Sequence, residues 1–184
     1  MGLDITAYSK LTKIDVVFDA GGDPIDPISR ETVDYDLNAY LNSHFPGRAD
    51  DIEDRAIYIA DDRHGFRAGS YGGYNAWREE LAKLAGYPGL ERDPYNVGKI
   101  QIRHDAGAFS VTEGPFWELI CFSDCEGIIG SSISAKLAKD FADWDDRAKA
   151  HSDSIDQPTW FYEKYLEWRA AFEMAADAGA VEFH

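Results

Sequence analysis

Large apolar residues recur every three or four positions in three segments of the chain, and this periodicity constrains the fold more than any other feature. The spacing places these residues along one side of an α-helix, so each segment predicts an amphipathic helix whose apolar side faces a core. The three stripes are Tyr74, Trp77, Leu81 and Leu84 in residues 70–85; Ile133, Leu137, Phe141 and Trp144 in 131–149; and Phe161, Tyr165, Trp168, Phe172 and Ala176 in 158–178.

Residues that commonly begin or end helices flank all three segments. Serine and aspartate accept hydrogen bonds from the free N–H groups of a first turn, proline suits that turn, and glycine suits the position after the last turn. The predicted capping residues are Ser70 and Gly86 for the first helix, Ser131 or Ser132 for the second, and Asp156, Pro158 and Gly179 for the third.

Shorter elements are predicted between these helices. Residues 3–8 and 14–18 alternate apolar and polar side chains, which is typical of half-buried strands, and turn residues at 19–27 predict a hairpin or loop after them. Further strands are expected at 55–60 and 180–184, and a short helix at 36–42. Residues 116–122 fit either a buried strand or a short helix, and Pro115 at a first helical position favours the helix.

Together these elements predict a single α+β domain over residues 1–184. A small antiparallel sheet, drawn mainly from the N-terminal third, is packed by three or more amphipathic helices. The length of 184 residues suits one domain with its own core. Residues 64–184 are predicted to form that core, with residues 12–63 as an elaboration on it.

The chain is strongly acidic, but the charge is uneven. It has 18 Lys and Arg against 34 Asp and Glu, a formal charge of −16, of which −8 falls in residues 1–63, +1 in 64–112 and −9 in 113–184. Direct binding to nucleic acid or an anionic membrane is not expected, because phosphate contacts need Lys and Arg. No apolar run reaches the ~20 residues of a membrane span and the start lacks a signal-peptide pattern, so a cytoplasmic protein is expected.

A glycine-rich segment at 69–75 offers one candidate binding site. It runs into the predicted start of a helix, where free N–H groups and the helix dipole favour an anion, and neighbouring arginines and tyrosines add charge and ring surfaces. The spacing matches neither G-x-x-x-x-G-K-[ST] nor G-x-G-x-x-G, and such glycines are also typical of a tight loop against a sheet. The candidate ligand-binding residues are Arg67, Ser70, Tyr71, Gly72, Gly73, Tyr74, Asn75 and Arg78.

Acidic clusters offer a second candidate site. Carboxylates on surface helices most often form a solvated face, but a dense acidic face also resembles a nucleic-acid backbone in charge and suits a protein partner with a basic surface. The candidate protein-binding residues are Asp50, Asp51, Glu53, Asp54, Asp140, Asp143 and Asp146.

Cys125 is the third candidate, as a catalytic nucleophile in a polar turn. Its neighbours Asp124 and Glu126 would raise the pKa of its thiol, which opposes that role. The two cysteines, Cys121 and Cys125, and the five scattered histidines match no zinc-binding spacing. Neither a metal site nor a cofactor is predicted.

Four stretches carry a family resemblance: MGLDIT at the start, GSYGGYNAWREELA at 69–82, the turn SDCEG at 123–127, and the terminal Phe183-His184. On these stretches the chain resembles a family of small uncharacterised proteins of bacteriophages and prophage-bearing bacterial genomes. Glu126 stands where those relatives have aspartate. The resemblance implies a compact domain in a phage or prophage setting, with accessory roles such as counter-defence, and implies no catalytic residue.

These observations favour a non-catalytic phage or prophage accessory protein that occupies a host protein through acidic surfaces, including by mimicry of nucleic acid. Two alternatives stay open. One is a protein that binds a nucleotide-like anion at 69–75, and the other is a cysteine-dependent hydrolase that uses Cys125.

Overall fold

Most strands lie in the first seventy residues and the helices follow them. The computed structural model describes residues 2–93, 98–123 and 126–184. The strands are β1 (Leu3–Ser9), β2 (Thr12–Ile14), β3 (Val17–Phe18), β4 (Pro24–Ile25), β5 (Leu37–Asn38), β6 (Ile57–Ile59), β7 (Asp62–Gly69), β8 (Leu90–Arg92), β9 (Gln101–Arg103), β10 (Gly127–Gly130) and β11 (Ala180–Phe183). The helices are α1 (Tyr71–Ala85), α2 (His104–Ala108), α3 (Trp117–Cys121), α4 (Ser131–Asp143), α5 (Asp145–Ser154) and α6 (Pro158–Ala175). Within these ranges no helix has both the length and the apolar character needed to cross a membrane.

The central sheet joins the two ends of the chain. Its antiparallel strands run in the order β10-β11-β1-β7, with Ile5 of β1 opposite Phe183 on one side and Phe66 on the other. The prediction that the sheet comes mainly from the N-terminal third was therefore wrong. Nearly all residues of β10 and β11 are buried, which requires a place between two packed layers.

Those two layers cover opposite faces of the sheet. The helices bury Leu3 and Ile5 together with Trp77 and Trp168. On the other face, residues of β5 and β6 such as Leu37 pack against residues of the sheet. The architecture confirms a single α+β domain with antiparallel sheets, while the division into a core and an elaboration stays a prediction.

The first predicted helix has the predicted ends. Ser70 is extended and its Oγ accepts a hydrogen bond from the N–H of Gly73 at 3.0 Å. Gly86 follows the helix with a φ of 81°, in the left-handed region that favours glycine. Local sequence signals are thus sufficient to define α1.

The second predicted helix is two helices, because Trp144 leaves the helical conformation with φ −104° and ψ 5°. The break lets Asp145 accept a hydrogen bond from Tyr162 of α6 at 2.7 Å. The predicted serine caps were also wrong: Asp51, eighty residues away, accepts the N–H of Ser131 at 2.8 Å.

The third predicted helix ends early, at Ala175. Gln157, not Asp156, precedes it and makes no side-chain capping bond. Ala178 takes the left-handed φ of 49° expected of Gly179. Gly179 is instead required by a close approach, because a Cβ there would lie 1.9 Å from the carbonyl oxygen of Tyr8.

The predicted helix at 36–42 is absent, and β5 takes its place. Leu37 and Asn38 pair with β6, and the N–H groups of Asp36 and Ala39 donate to carbonyls of Tyr58 and Ala56. The backbone hydrogen bonds of this segment are thus made with a neighbouring strand. The periodicity of the local sequence does not reveal such a pairing. The short helix and strand expected at 116–122 and 180–184 are confirmed as α3 and β11.

Candidate functional site

The junction between β7 and α1 leaves the start of the helix open to approach. Gly69 ends the strand with a φ of 119°, which side chains rarely adopt, and Ser70 then caps the helix. Gly72 and Gly73 carry no side chains over the first turn. A Cβ at Gly72 would meet no atom closer than Ser70 Oγ, at 4.0 Å.

A cavity of about 310 Å³, here called the arginine cavity, lies beside this first turn. Its volume is at the lower end of the ~300–1,000 Å³ typical of small-molecule sites. Arg78 of α1 and Arg92 and Arg103 of the β8–β9 hairpin line it, and the other lining residues are Gly72, Asn75, Ala76, Asp105, Ala106, Phe109 and Ser123. In a chain of charge −16, three guanidinium groups around one cavity reverse the local charge.

Arg78 is the most deeply buried of the three, with only 2% of its surface exposed. Its Nε donates to the carbonyl oxygen of Ile120 and its Nη1 to Oδ1 of Asn75, both at 2.8 Å. Among the described residues no carboxylate forms an ion pair with it within 4.0 Å. A fully buried arginine is usually paired with an anion. Both hydrogen-bond acceptors of this buried cation are therefore uncharged oxygens.

Arg103, by contrast, is held by two carboxylates. Its Nε and Nη2 donate to the two oxygens of Asp105, at 3.1 and 2.8 Å, and its Nε lies 3.3 Å from Oε2 of Glu79. Burial raises the pKa of Asp105, but the hydrogen bond and charge of Arg103, with the charge of Arg78, outweigh it and hold that pKa below its usual range. Asp105 is thus ionised at neutral pH and neutralises Arg103.

Arg92 is exposed at the rim of the arginine cavity. It lies opposite Gln101, as Leu90 lies opposite Arg103, so Arg92 and Arg103 share one side of the hairpin. No ion pair or hydrogen bond joins Arg92 to the described part of the chain. Three cations against the two carboxylates of Glu79 and Asp105 leave one net positive charge.

The structure brings three of the eight predicted ligand residues, Gly72, Asn75 and Arg78, to the arginine cavity. Tyr71 is 40% exposed at the start of α1. Gly73 lines a different cavity.

The other predicted ligand residues have structural partners. Arg67 lies on β7, 3.6 Å from Asp4 across the sheet, and Ser70 is engaged as the cap of α1. Tyr74 is buried and donates its hydroxyl to the carbonyl oxygen of Phe122 at 3.0 Å, and burial raises the pKa of that hydroxyl. None of these three side chains lines the arginine cavity.

Five lining residues with side chains suited to a ligand were not predicted from the sequence. They are Arg92, Arg103, Asp105, Phe109 and Ser123. The one signal that pointed towards them is the positive net charge of residues 64–112, because the hairpin and α2 that carry most of them have no strong hydrophobic periodicity.

A second cavity, of about 660 Å³, lies on the other side of α1 and shares Ala76 with the first. It is here called the Glu80 cavity, because Glu80 accepts a hydrogen bond from Lys83 Nζ at 2.7 Å and lies 3.0 Å from His151 Nε2. The hydrogen bond with His151 is the main cause that lowers the pKa of Glu80 to about 2, and Lys83 adds to it against the opposing effect of burial. Lys83 and His151 are thus both paired with Glu80, whereas Asp156, also in the wall of this cavity, is exposed and makes no ion pair with described residues.

The acidic candidates are divided between the two ends of α4. Asp51 caps the start of the helix, whereas Asp140 and Asp143 lie in its last turns and Asp146 lies in α5. At a rise of 1.5 Å per residue, the ends of α4 are about 18 Å apart. The carboxylates therefore form two groups.

Most of these carboxylates also have partners within the chain. Glu53 pairs with Lys13 at 2.6 Å, Asp54 accepts the N–H of Leu41, Asp140 accepts the N–H of Phe116, and Asp143 pairs with Lys139. Asp50 and Asp146 are exposed and make no ion pair with the residues the structure describes.

The structure describes one of the two cysteines. Cys125 lies outside the described residues. Cys121 is buried, and burial raises the pKa of its thiol to about 11, so it is protonated at neutral pH. In the part of the chain that the structure describes, His, Cys, Asp and Glu side chains form no group of three or more that would hold a metal ion.

No protein-family model, curated protein or solved structure matches the chain. The resemblance to phage and prophage proteins stays a prediction.

Proposed function

We propose that the protein binds a small anionic molecule in the arginine cavity. The observation that carries this proposal is Arg78, a buried guanidinium group at the wall of an open cavity whose own hydrogen bonds go to neutral oxygens. The charge that acts on Arg78 within the fold is that of Asp105, whose own hydrogen bonds go to Arg103. A buried charge that is compensated only in part costs free energy. An anion bound beside Arg78 offsets that cost, and the planar guanidinium matches a carboxylate or phosphate.

Two neighbouring features support an anion at this place. The first turn of α1 presents its backbone beside the cavity at Gly72, where the helix dipole is positive. Arg92 adds an exposed positive charge at the rim. Because the protein as a whole repels anions, a local positive site is what captures one.

Titration with inorganic phosphate, followed by calorimetry and by thermal unfolding, tests the proposal. Phosphate is expected to bind the wild type and to raise its melting temperature, since a ligand that binds the folded state stabilises it. Arg92→Gln should weaken binding by about two- to fivefold, in line with an exposed charge. Arg55→Gln removes the same charge from an arginine whose side chain is 88% exposed and which lines neither of the two cavities beside α1, and should leave binding unchanged.

Equal losses in the two variants would show a general effect of net charge and not a site. If neither phosphate nor pyrophosphate binds the wild type, the proposal is wrong.

Binding of a host protein through acidic surfaces remains a second proposal. It is supported by the net charge and by Asp50 and Asp146, whose exposed carboxylates make no ion pair with described residues. A partner captured from host cells at low salt should be released as salt rises, because screening weakens exposed charge pairs. Capture that is insensitive to salt would exclude it.

The setting implied by the resemblance is also a proposal: a phage or prophage protein that acts in the cytoplasm of a bacterial host. Fractionation of producing cells tests the location. Recovery of the protein from the periplasm or the medium of intact cells would contradict it.

A further inference from the structure

The arginine cavity adjoins a smaller aromatic one, and Phe109 borders both. The smaller cavity, of about 220 Å³, is lined by His44, Phe45, Pro46, Arg48, Phe109, Trp117 and Cys121. Phe109 directly follows α2 and is 46% exposed, a large value for a phenylalanine side chain. An exposed ring thus connects a cationic cavity with an apolar one.

The walls of the aromatic cavity are fixed by contacts within the fold. Trp117 donates its ring N–H to the carbonyl oxygens of Ala108 and Val111, at 3.0 and 3.1 Å. The guanidinium of Arg48 lies 4.4 Å from the centre of the Trp117 ring, and Phe45 packs against Phe122. A ligand that enters this cavity meets surfaces that are already ordered.

We propose that the anion in the arginine cavity belongs to a two-part ligand, a nucleoside monophosphate. Its phosphate lies against Arg78 and its base lies on the exposed face of Phe109, towards Trp117. The inference rests on the proposed function and adds to it the chemical class of the ligand. Aromatic side chains accept the face of any base, so the geometry favours the nucleotide class without selecting one base.

Binding of inorganic phosphate, adenosine, and the 5′-monophosphates of adenosine, guanosine, cytidine and uridine tests this inference. At least one monophosphate should bind about tenfold or more tightly than phosphate, the gain expected from stacking one base on an aromatic side chain. Adenosine alone should bind more weakly than adenosine monophosphate, because it lacks the group that contacts Arg78.

The variant Phe109→Ala should remove the advantage of the monophosphates and leave phosphate affinity within about twofold. Phe18→Ala is the matched control, since Phe18 is 50% exposed on β3 and lines neither cavity. It should leave both affinities unchanged.

Three results separate the two proposals. If phosphate binds but no monophosphate binds more tightly, the two-part ligand is wrong and the anion site stands. If Phe109→Ala leaves the advantage of the monophosphates intact, Phe109 does not contact a base and the inference is wrong. If no probe binds, the anion site and the inference both fail.

Discussion

α1 separates two cavities that differ in how their charges are compensated. On one side Arg78 is buried with neutral oxygens as its hydrogen-bond acceptors. On the other side Glu80 lies between Lys83 and His151, so its charge has cationic and hydrogen-bonding partners. The Glu80 cavity has about twice the volume of the arginine cavity, yet Lys83 and His151 in its wall are already paired with Glu80.

The comparison shows that charge compensation is a better guide to a ligand than volume. A paired buried group gains little from a bound ion, because any new contact competes with an existing one. A buried cation whose hydrogen bonds go to neutral oxygens gains more from a bound anion, because their attraction is screened less than in bulk water. The same helix therefore presents a binding side and a structural side.

The largest effect is expected from Arg78→Met, which removes the charge that defines the binding side. Phosphate affinity should fall at least ~30-fold, because the loss of one partner of a buried charged contact costs about 2–5 kcal/mol. Without phosphate, the free energy of unfolding should change by less than ~1.5 kcal/mol, because lost hydrogen bonds are offset by no longer burying a charge. Calorimetry and urea denaturation measure the two quantities.

Lys83→Met is the control for that variant, since it removes one positive charge from the other side of the same helix. Its phosphate affinity should stay within about twofold of the wild type, in line with an exposed charge. A similar loss in both variants would remove the distinction between the two sides of α1.

The second prediction concerns the structural side. Glu80→Gln should lower the free energy of unfolding at pH 7 by about 1.5–3 kcal/mol, the range for hydrogen bonds to a charged group. Phosphate affinity should not change, because Glu80 does not line the arginine cavity.

The pH dependence of this loss identifies the Glu80 charge as its cause. The pKa of Glu80 is about 2 in the fold against an ordinary value of 4.5, so its carboxylate stabilises the protein above pH 4.5. That contribution is lost as the pH falls from 4.5 towards 2. The difference between wild type and variant in urea denaturation should therefore shrink over this range, and a difference that is constant with pH would contradict the assignment.

The fold was predictable where its signals are local. The apolar stripe of α1, with Ser70 before it and Gly86 after it, predicted that helix and both of its ends. The break at Trp144 was not predictable, because Trp144 itself fits the apolar stripe and the residue that Asp145 then contacts lies on another helix. The cap supplied by Asp51 likewise comes from eighty residues away.

The same distinction applies to the arginine cavity. Arg78 and Asn75 were predicted because they lie one turn apart on a helix whose start was evident. Arg92, Arg103 and Phe109 reach the cavity through a short hairpin and a one-turn helix, whose few residues carry no periodicity that sequence reasoning detects.

The smallest effects are expected from the two glycines of the first turn, which lie on different sides of α1. Gly72→Ala should raise the free energy of unfolding by about 0.5 kcal/mol, because alanine has the better helix propensity. It should weaken phosphate binding by less than about tenfold, because the added methyl group occupies space in the arginine cavity. Gly73→Ala should stabilise less, because its Cβ would lie 3.3 Å from the Ser70 Oγ that caps the helix. Because Gly73 lines the Glu80 cavity, its replacement should leave phosphate affinity unchanged. If the two alanine variants weaken phosphate binding equally, the anion does not distinguish the two sides of α1 and its site must lie elsewhere.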